Sequence, residues 1–218
     1  MKTVLIAEKP SVGKAITKHL PGPHKMRSGY VGARGPTHIA YGGGVVTWVF
    51  GHILEAVEPH EYDPALKKWR KSTLPIVTEH WKLKPVPSSI GQFHLINELI
   101  RDADLIIHAG DPDREGQLLV DEVLYELRNR VPVKRIWLAA LDDASIRKAL
   151  NSLEDNQQYH NLYQAALGRQ RADWLVGLNM TRARRPSDGE IPTENDDCHF
   201  SDQSGSWFAS VKRTGQVN

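Results

Sequence analysis

Two short runs of apolar residues limit what this chain can become. Val4-Leu5-Ile6-Ala7 near the start and Leu105-Ile106-Ile107 near the middle are apolar at every position, without the in–out alternation of a half-solvated strand. Runs of this length with no polar face suit strands buried on both sides, as in a parallel sheet covered by helices above and below. The segments around them alternate in period. Residues 2–7 read as a strand, and Ser11 is placed to cap a helix reaching His19, which Pro21-Gly22-Pro23 closes. Gly42-Gly43-Gly44 reads as a hairpin turn before a strand over Val45–Phe50. Residues 57–89 are proline-rich and read as an extended, irregular connection. A helix over Ser89–Arg101, a strand over Leu105–His108, a helix over Glu115–Asn129, a strand over Arg135–Ala139 and a helix over Ala144–Leu153 started by Asp142 or Asp143 follow in turn. The expected fold is a three-layer α/β sheet with helices on both faces. A long helical pattern over Tyr159–Arg185 comes after it.

At 218 residues the chain is long enough for one well-buried domain and part of a second. The net charge of +2 conceals an asymmetry: from Pro186 on there are six acidic and two basic side chains, so the tail is −4 and the rest +6. Residues 186–218 have no periodicity and are expected to be disordered or foreign to the fold. The lone cysteine, Cys198, excludes an internal disulfide and a Cys-based zinc site. The apolar start is too short for a signal peptide and no stretch reaches membrane-span length, so a cytoplasmic protein is expected.

The chemistry concentrates in "HAGDPDREGQLL", residues 108–119, where Asp111, Asp113 and Glu115 fall on alternate positions between a strand and a helix. Acids at a helix start cap free N–H groups and suit the helix dipole. Capping accounts for one or two of them. Three packed together repel unless a cation compensates, and Pro112 and Gly116 hold the chain to a defined path. Both readings, cap and metal site, stand on this stretch alone. Position adds weight to the second, because ligands gather at the carboxyl ends of strands in open parallel sheets, and the first strand delivers Glu8 and Lys9 to that same edge. Spaced oxygen ligands with room for water suit Mg²⁺. "EKPSVGKAI" fails as a phosphate loop: Ala15 follows Gly13-Lys14 where Ser or Thr is required, and Glu8 stands where the upstream glycine belongs.

An acid after the first strand and Asp-x-Asp-x-Glu after a later one resemble the toprim domain, shared by type IA and type II topoisomerases, DnaG-type primases and some nucleases. "VLIAEKPSVGKAI", "VVTWVFGHILE", "HAGDPDREGQLL" and "RADWLVGLNMTRA" resemble type IA topoisomerases, in particular the bacterial topoisomerase III branch, over residues 1–183. The resemblance implies a toprim (Rossmann-like) domain over 1–153, the helical start of the next topoisomerase domain over 154–185, and cleavage and religation of single-stranded DNA. It implies that Asp111 and Asp113 bind Mg²⁺ with Glu115 in support. Glu8 is the implied general acid/base at the 3′ oxygen and possible further ligand, and Lys9 the stabiliser of phosphate charge. It also makes Arg171 and Arg182, with Asn179 and Thr181, DNA contacts; without it, the arginines of that helix read as a solvated face and Arg169–Asp173 as an i,i+4 pair. Trp174 reads as core.

The family's nucleophilic tyrosine sits in a Gly-x-Val-Gln-Thr-Pro-like setting. None of Tyr30, Tyr41, Tyr62, Tyr125, Tyr159 and Tyr163 has that context. The chain alone is therefore expected not to relax DNA and to depend on the remaining topoisomerase domains. A stand-alone Mg²⁺-dependent toprim nuclease, with water as nucleophile, and a non-catalytic DNA-binding module are the rival readings. His38, His52, His94 and His108 read as structural, with His108 placed to support the acid trio. Trp69, Trp81 and the lysines at 67, 68, 71, 82 and 84 form a basic, aromatic stretch read as a solvated loop with some capacity for single strands.

Overall fold

β1 (Thr3–Ala7) lies at the centre of a seven-stranded sheet. The computed structural model describes residues 2–184, so the expectation for the tail lies outside the described residues. The chain continues through α1 (Pro10–Thr17), β2 (Lys25–Arg27), β3 (His38–Tyr41), β4 (Gly44–Trp48), β5 (Leu54–Ala56), α2 (Pro59–Tyr62), β6 (Leu83–Pro85) and α3 (Ile90–Arg101). β7 (Leu105–Ala109), α4 (Arg114–Glu126), β8 (Val133–Arg135), α5 (Asp143–Leu150), β9 (Glu154–Asp155) and α6 (His160–Arg184) complete it. The sheet order is β2-β3-β4-β1-β7-β8-β9. The central strands β4, β1, β7 and β8 are parallel, and the outer pairs β2–β3, β3–β4 and β8–β9 are antiparallel. β5 and β6 form a separate ribbon.

Both faces of the sheet are covered, as the all-apolar strands require. Leu5, Ala7 and Ile107 pack on one side against Val12 and Ile16 of α1 and Ile146 and Ala149 of α5. Val4, Ile6 and Ile106 pack on the other against Ile96 and Ile100 of α3 and Leu119, Val120 and Val123 of α4. Successive side chains of one strand thus feed two cores, the period-2 geometry of a pleated strand. The β3–β4 hairpin turns at Gly42 and Gly43 as expected. Gly44 tolerates no side chain: a Cβ there would meet the Thr3 carbonyl oxygen at 1.8 Å.

Several boundaries differ from expectation, among them α5, which ends at Leu150 rather than Leu153, and three have a local cause. α1 starts at Pro10, with Lys9 as an N-cap that makes no side-chain capping bond, so Ser11 is not the cap; proline fits the first helical position, where its missing N–H has no partner to lose. α4 stops at Glu126 rather than Asn129, because Arg128 takes a left-handed conformation (φ 51) and the Asn129 N–H returns to the Leu124 carbonyl at 3.0 Å. The strand expected over Arg135–Ala139 is Val133–Arg135 instead. Ile136 and Leu138 are buried, but after the Ile136 N–H, which still donates to the His108 carbonyl at 3.0 Å, the pairing with β7 goes no further. Apolar alternation reports burial, and here burial outlasts pairing.

Residues up to Glu58 together with His80–Arg169 form one compact unit, which holds the large sheet. Pro59–Glu79 and the described residues from Gln170 on form another. In the second, side chains rather than a ladder hold the irregular segment. Asn179 accepts from the Ile76 N–H at 2.7 Å and donates to its carbonyl at 2.8 Å. Arg182 donates to the Leu66 carbonyl at 2.9 Å and lies over the Trp69 ring, 5.0 Å from its centroid. Trp174 meets Tyr62 edge to face at 6.5 Å.

Candidate active site at the ends of the central strands

Register brings the site together. Ala7 of β1 pairs with Ala109 of β7, so Glu8 and Gly110 leave the sheet side by side. Glu8 is buried, 7% exposed, and its Oε2 accepts from the Asp111 backbone N–H at 3.3 Å. Lys9 spans the two acids: its Nζ is 2.9 Å from Glu8 Oε1 and 3.0 Å from Asp111 Oδ2. Both carboxylates raise the Lys9 pKa above the ordinary lysine value, with Glu8 the larger influence. Two acids separated by more than a hundred residues in sequence thus share one ammonium group.

Asp113 lines the same cleft but is engaged differently. It is the N-cap of α4, with Oδ1 accepting from the Gly116 N–H at 2.7 Å. Glu115, in the first turn, faces Arg114 at 3.6 Å and Arg169 at 3.5 Å. The cleft is lined by Lys9, Ser11, Gly110, Asp111, Pro112 and Asp113 on one side and Leu138–Leu141 on the other. α1 and α4 both begin there, and helix N termini favour anionic groups such as phosphate.

Two glycines allow the loop its tight path. A Cβ on Gly110 would lie 2.1 Å from the Gly116 carbonyl oxygen, and one on Gly116 would lie 2.5 Å from both the N and the O of Asp111. Loop and helix therefore pack backbone against backbone. Beneath them lies a buried polar network of which the sequence analysis singled out only His108. His108, fully buried, accepts from the Gly110 N–H at Nδ1 (3.2 Å), and its Nε2 is 3.2 Å from the Gln117 carbonyl. That arrangement suits a neutral ring with its proton on Nε2. Burial, aided by the Arg135 charge, drives the His108 pKa well below its ordinary value. Gln117 donates to Asp121 (2.7 Å) and Asn156 (2.9 Å), and Asn156 donates back to Asp121 (2.8 Å). Burial raises the Asp121 pKa. Arg135, Gln117 and Asn156 gave no local signal. Each belongs to a residue type that is usually solvated, and only the fold buries their polar ends.

The donor set fits a hydrated divalent ion better than an all-protein cage. Among the described residues no three His, Cys, Asp or Glu side chains stand together as a metal-holding set. Glu8 and Asp111, already sharing a cation, offer the one or two carboxylates that Mg²⁺ takes while keeping water and substrate oxygens. Of the four residues expected to meet DNA, Asn179 and Arg182 are committed to residues 66–76. Arg171 and Thr181 are half-buried on the same helix.

Comparison with known proteins agrees with this architecture. DNA topoisomerase 3 of Vibrio cholerae is 44% identical over 187 residues, which is 84% of this chain and 28% of that protein. The Salmonella typhimurium DNA topoisomerase 3 is 45% identical over 184 residues, 83% of this chain and 27% of that protein. The chain thus spans about a quarter of the length of these relatives. Full-length topoisomerase I from Thermotoga maritima shares the fold, with a TM-score of 0.52 at 18% identity over 81% of this chain and 25% of that one. The Toprim domain family matches residues 3–141, the stretch that carries β1, β7 and the acidic loop, and the chain belongs to that family.

Proposed function

We propose that this chain supplies the acidic, cation-binding half of a type IA topoisomerase-like active site, acting in the cytoplasm on single-stranded DNA. The observation that carries the reading is the shared ammonium: Glu8 and Asp111 are joined through Lys9 at adjacent strand ends. In this reading Asp111, with Asp113 and Glu115 in support and Glu8 adjacent, holds Mg²⁺. When bound, that ion supplies Lewis-acid charge to a phosphodiester oxygen. Lys9, its charge secured by both carboxylates, turns its Nζ to the phosphate as negative charge grows in transfer. Glu8 carries a proton to or from the 3′ oxygen at its carboxylate. The start of α4 keeps the loop in place through the Asp113 cap. Arg171, Thr181, Asn179 and Arg182 are the phosphate contacts assigned to α6, and Asn179 and Arg182 also bond to residues 66–76.

None of the six tyrosines has the family's nucleophile setting, so the chain on its own is expected to bind without religating or relaxing DNA. Mn²⁺ binding followed by electron paramagnetic resonance, with anisotropy of a labelled single-stranded oligonucleotide, tests the reading. Wild type takes up Mn²⁺, and Asp111→Asn and Glu8→Gln weaken it. Equal Mn²⁺ affinity in wild type and Asp111→Asn overturns the assignment. Mg²⁺-dependent nicking by the wild-type chain, lost in Asp111→Asn, supports the stand-alone nuclease instead.

A further inference from the structure

Arg135 ends β8 and is fully buried, yet among the described residues no carboxylate pairs with it directly. Its guanidinium is spent on four backbone carbonyls and one side-chain amide. NH1 donates to the Gly110 carbonyl at 2.9 Å, to that of His108 at 3.3 Å, and to that of Ile136. NH2 donates to the Asp111 carbonyl at 2.8 Å, and Nε to Gln117 Oε1 at 2.8 Å. Trp137 and Tyr159, stacked on each other at 4.8 Å, cover it, with the Arg135 carbon 5.0 Å from the Trp137 ring centre. Burial pulls its pKa down to about 10, so it remains charged at neutral pH.

A buried charge without a direct ionic partner costs several kcal/mol to desolvate, and an apolar side chain would hold a strand end at lower cost. The compensation here comes from the carbonyls of the acidic loop, with Asp121 most strongly, then Asp111 and Asp113, favouring the charge from a distance. The planar fork satisfies several carbonyls at once, which a lysine ammonium cannot do in that geometry.

We propose that Arg135 is a positioning residue for the acidic loop: by holding the Gly110 and Asp111 carbonyls it sets where the Asp111 and Asp113 carboxylates stand toward a divalent cation. The cation part of this rests on the function proposed above; the clamp does not. Residues that orient metal ligands typically change metal affinity about 10–100-fold when altered.

Two measurements on the full chain test the assignment. Hydrogen exchange without metal compares peptides covering 108–117 with peptides covering β1 and β4, and Mn²⁺ titration gives the dissociation constant. In Arg135→Lys, exchange over 108–117 rises while β1 and β4 hold, and Mn²⁺ binding weakens by about 10–100-fold. Exchange that is unchanged over 108–117, or that rises equally through the sheet, overturns the clamp. If Arg135→Lys does not fold, Gln117→Met carries the test. It removes the acceptor that orients Nε, together with the amide's bonds to Asp121 and Asn156, and a 108–117 segment exchanging as in wild type overturns the proposal. A wild-type chain that takes no Mn²⁺ overturns the cation reading, and the exchange comparison then decides the clamp alone.

Discussion

Replacing Gly116 by alanine sets two physical effects against each other. Gly116 lies in the first turn of α4, where helix propensity alone favours alanine by up to about 1 kcal/mol. Packing opposes it. The added methyl would lie 2.5 Å from the backbone N and O of Asp111 and 2.9 Å from its Cα. Carbon contacts are comfortable at about 3.5–4.0 Å, so the loop and the helix must part by about 1 Å. The atoms met are backbone, with no side chain to swing aside. Overpacking of this kind costs about 1–3 kcal/mol, which leaves a net loss of up to about 2 kcal/mol after the full propensity gain. At roughly 2–4 °C per kcal/mol for a chain of this size, Tm falls by up to about 8 °C. The movement also exceeds the ~0.5 Å within which ligand groups must be held, so Mn²⁺ affinity falls too. Gly168→Ala is the control. It is an exposed glycine in α6 with nothing within 4 Å of the added methyl, and the same substitution there raises stability by about 0.5–1 kcal/mol. Thermal and urea unfolding of both variants, with Mn²⁺ titration of the first, decide the matter. A Gly116→Ala chain as stable as wild type, with unchanged affinity, refutes the backbone-on-backbone reading of the loop.

Further outcomes follow from the same geometry. Asp113→Asn keeps a capping oxygen for the Gly116 N–H while Asp113→Ala loses it, so only the alanine variant loses the roughly 1 kcal/mol of a cap, whereas both weaken Mn²⁺ binding; equal Mn²⁺ affinity in all three chains would mean that Asp113 is a cap alone. Lys9→Met removes the ammonium that competes for Glu8 and Asp111, so Mn²⁺ binds more tightly while single-stranded DNA binds less tightly, as titrations of each will read. The neutral His108 ring, beside Arg135 and Asp121, has a folded pKa below its unfolded value near 6.5. The unfolded chain therefore takes the proton first, and this contribution to stability is lost as pH falls below about 6.5, approaching 1.4 kcal/mol per pH unit. Urea unfolding between pH 7.5 and 5.5 should show a shallower slope in His108→Gln; identical slopes exclude the assignment. Asn179→Ala strips three hydrogen bonds from residues 76 and 175 and should expose the 66–77 segment to limited proteolysis, with no change if that segment is held by other means.

Much of this protein is written locally. The apolar runs at Val4–Ala7 and Leu105–Ile107 announce strands with two covered faces, because a run without a polar side has nowhere else to go. Asp111-Pro112-Asp113-Arg114-Glu115-Gly116 announces a strand-to-helix turn dense in negative charge, since proline, glycine and capping acids act within a few residues of themselves. What the tertiary structure alone decided are the relations across distance. The Ala7–Ala109 register puts Glu8 against Asp111, and neither sequence neighbourhood contains that information. The burial of Arg135 depends on loop carbonyls some 25 positions away and on the Trp137–Tyr159 stack above it. Strand pairing ends after the Ile136 N–H although Ile136 and Leu138 stay apolar and buried, because hydrophobicity specifies where a side chain goes and leaves open which backbone, if any, its own will bond.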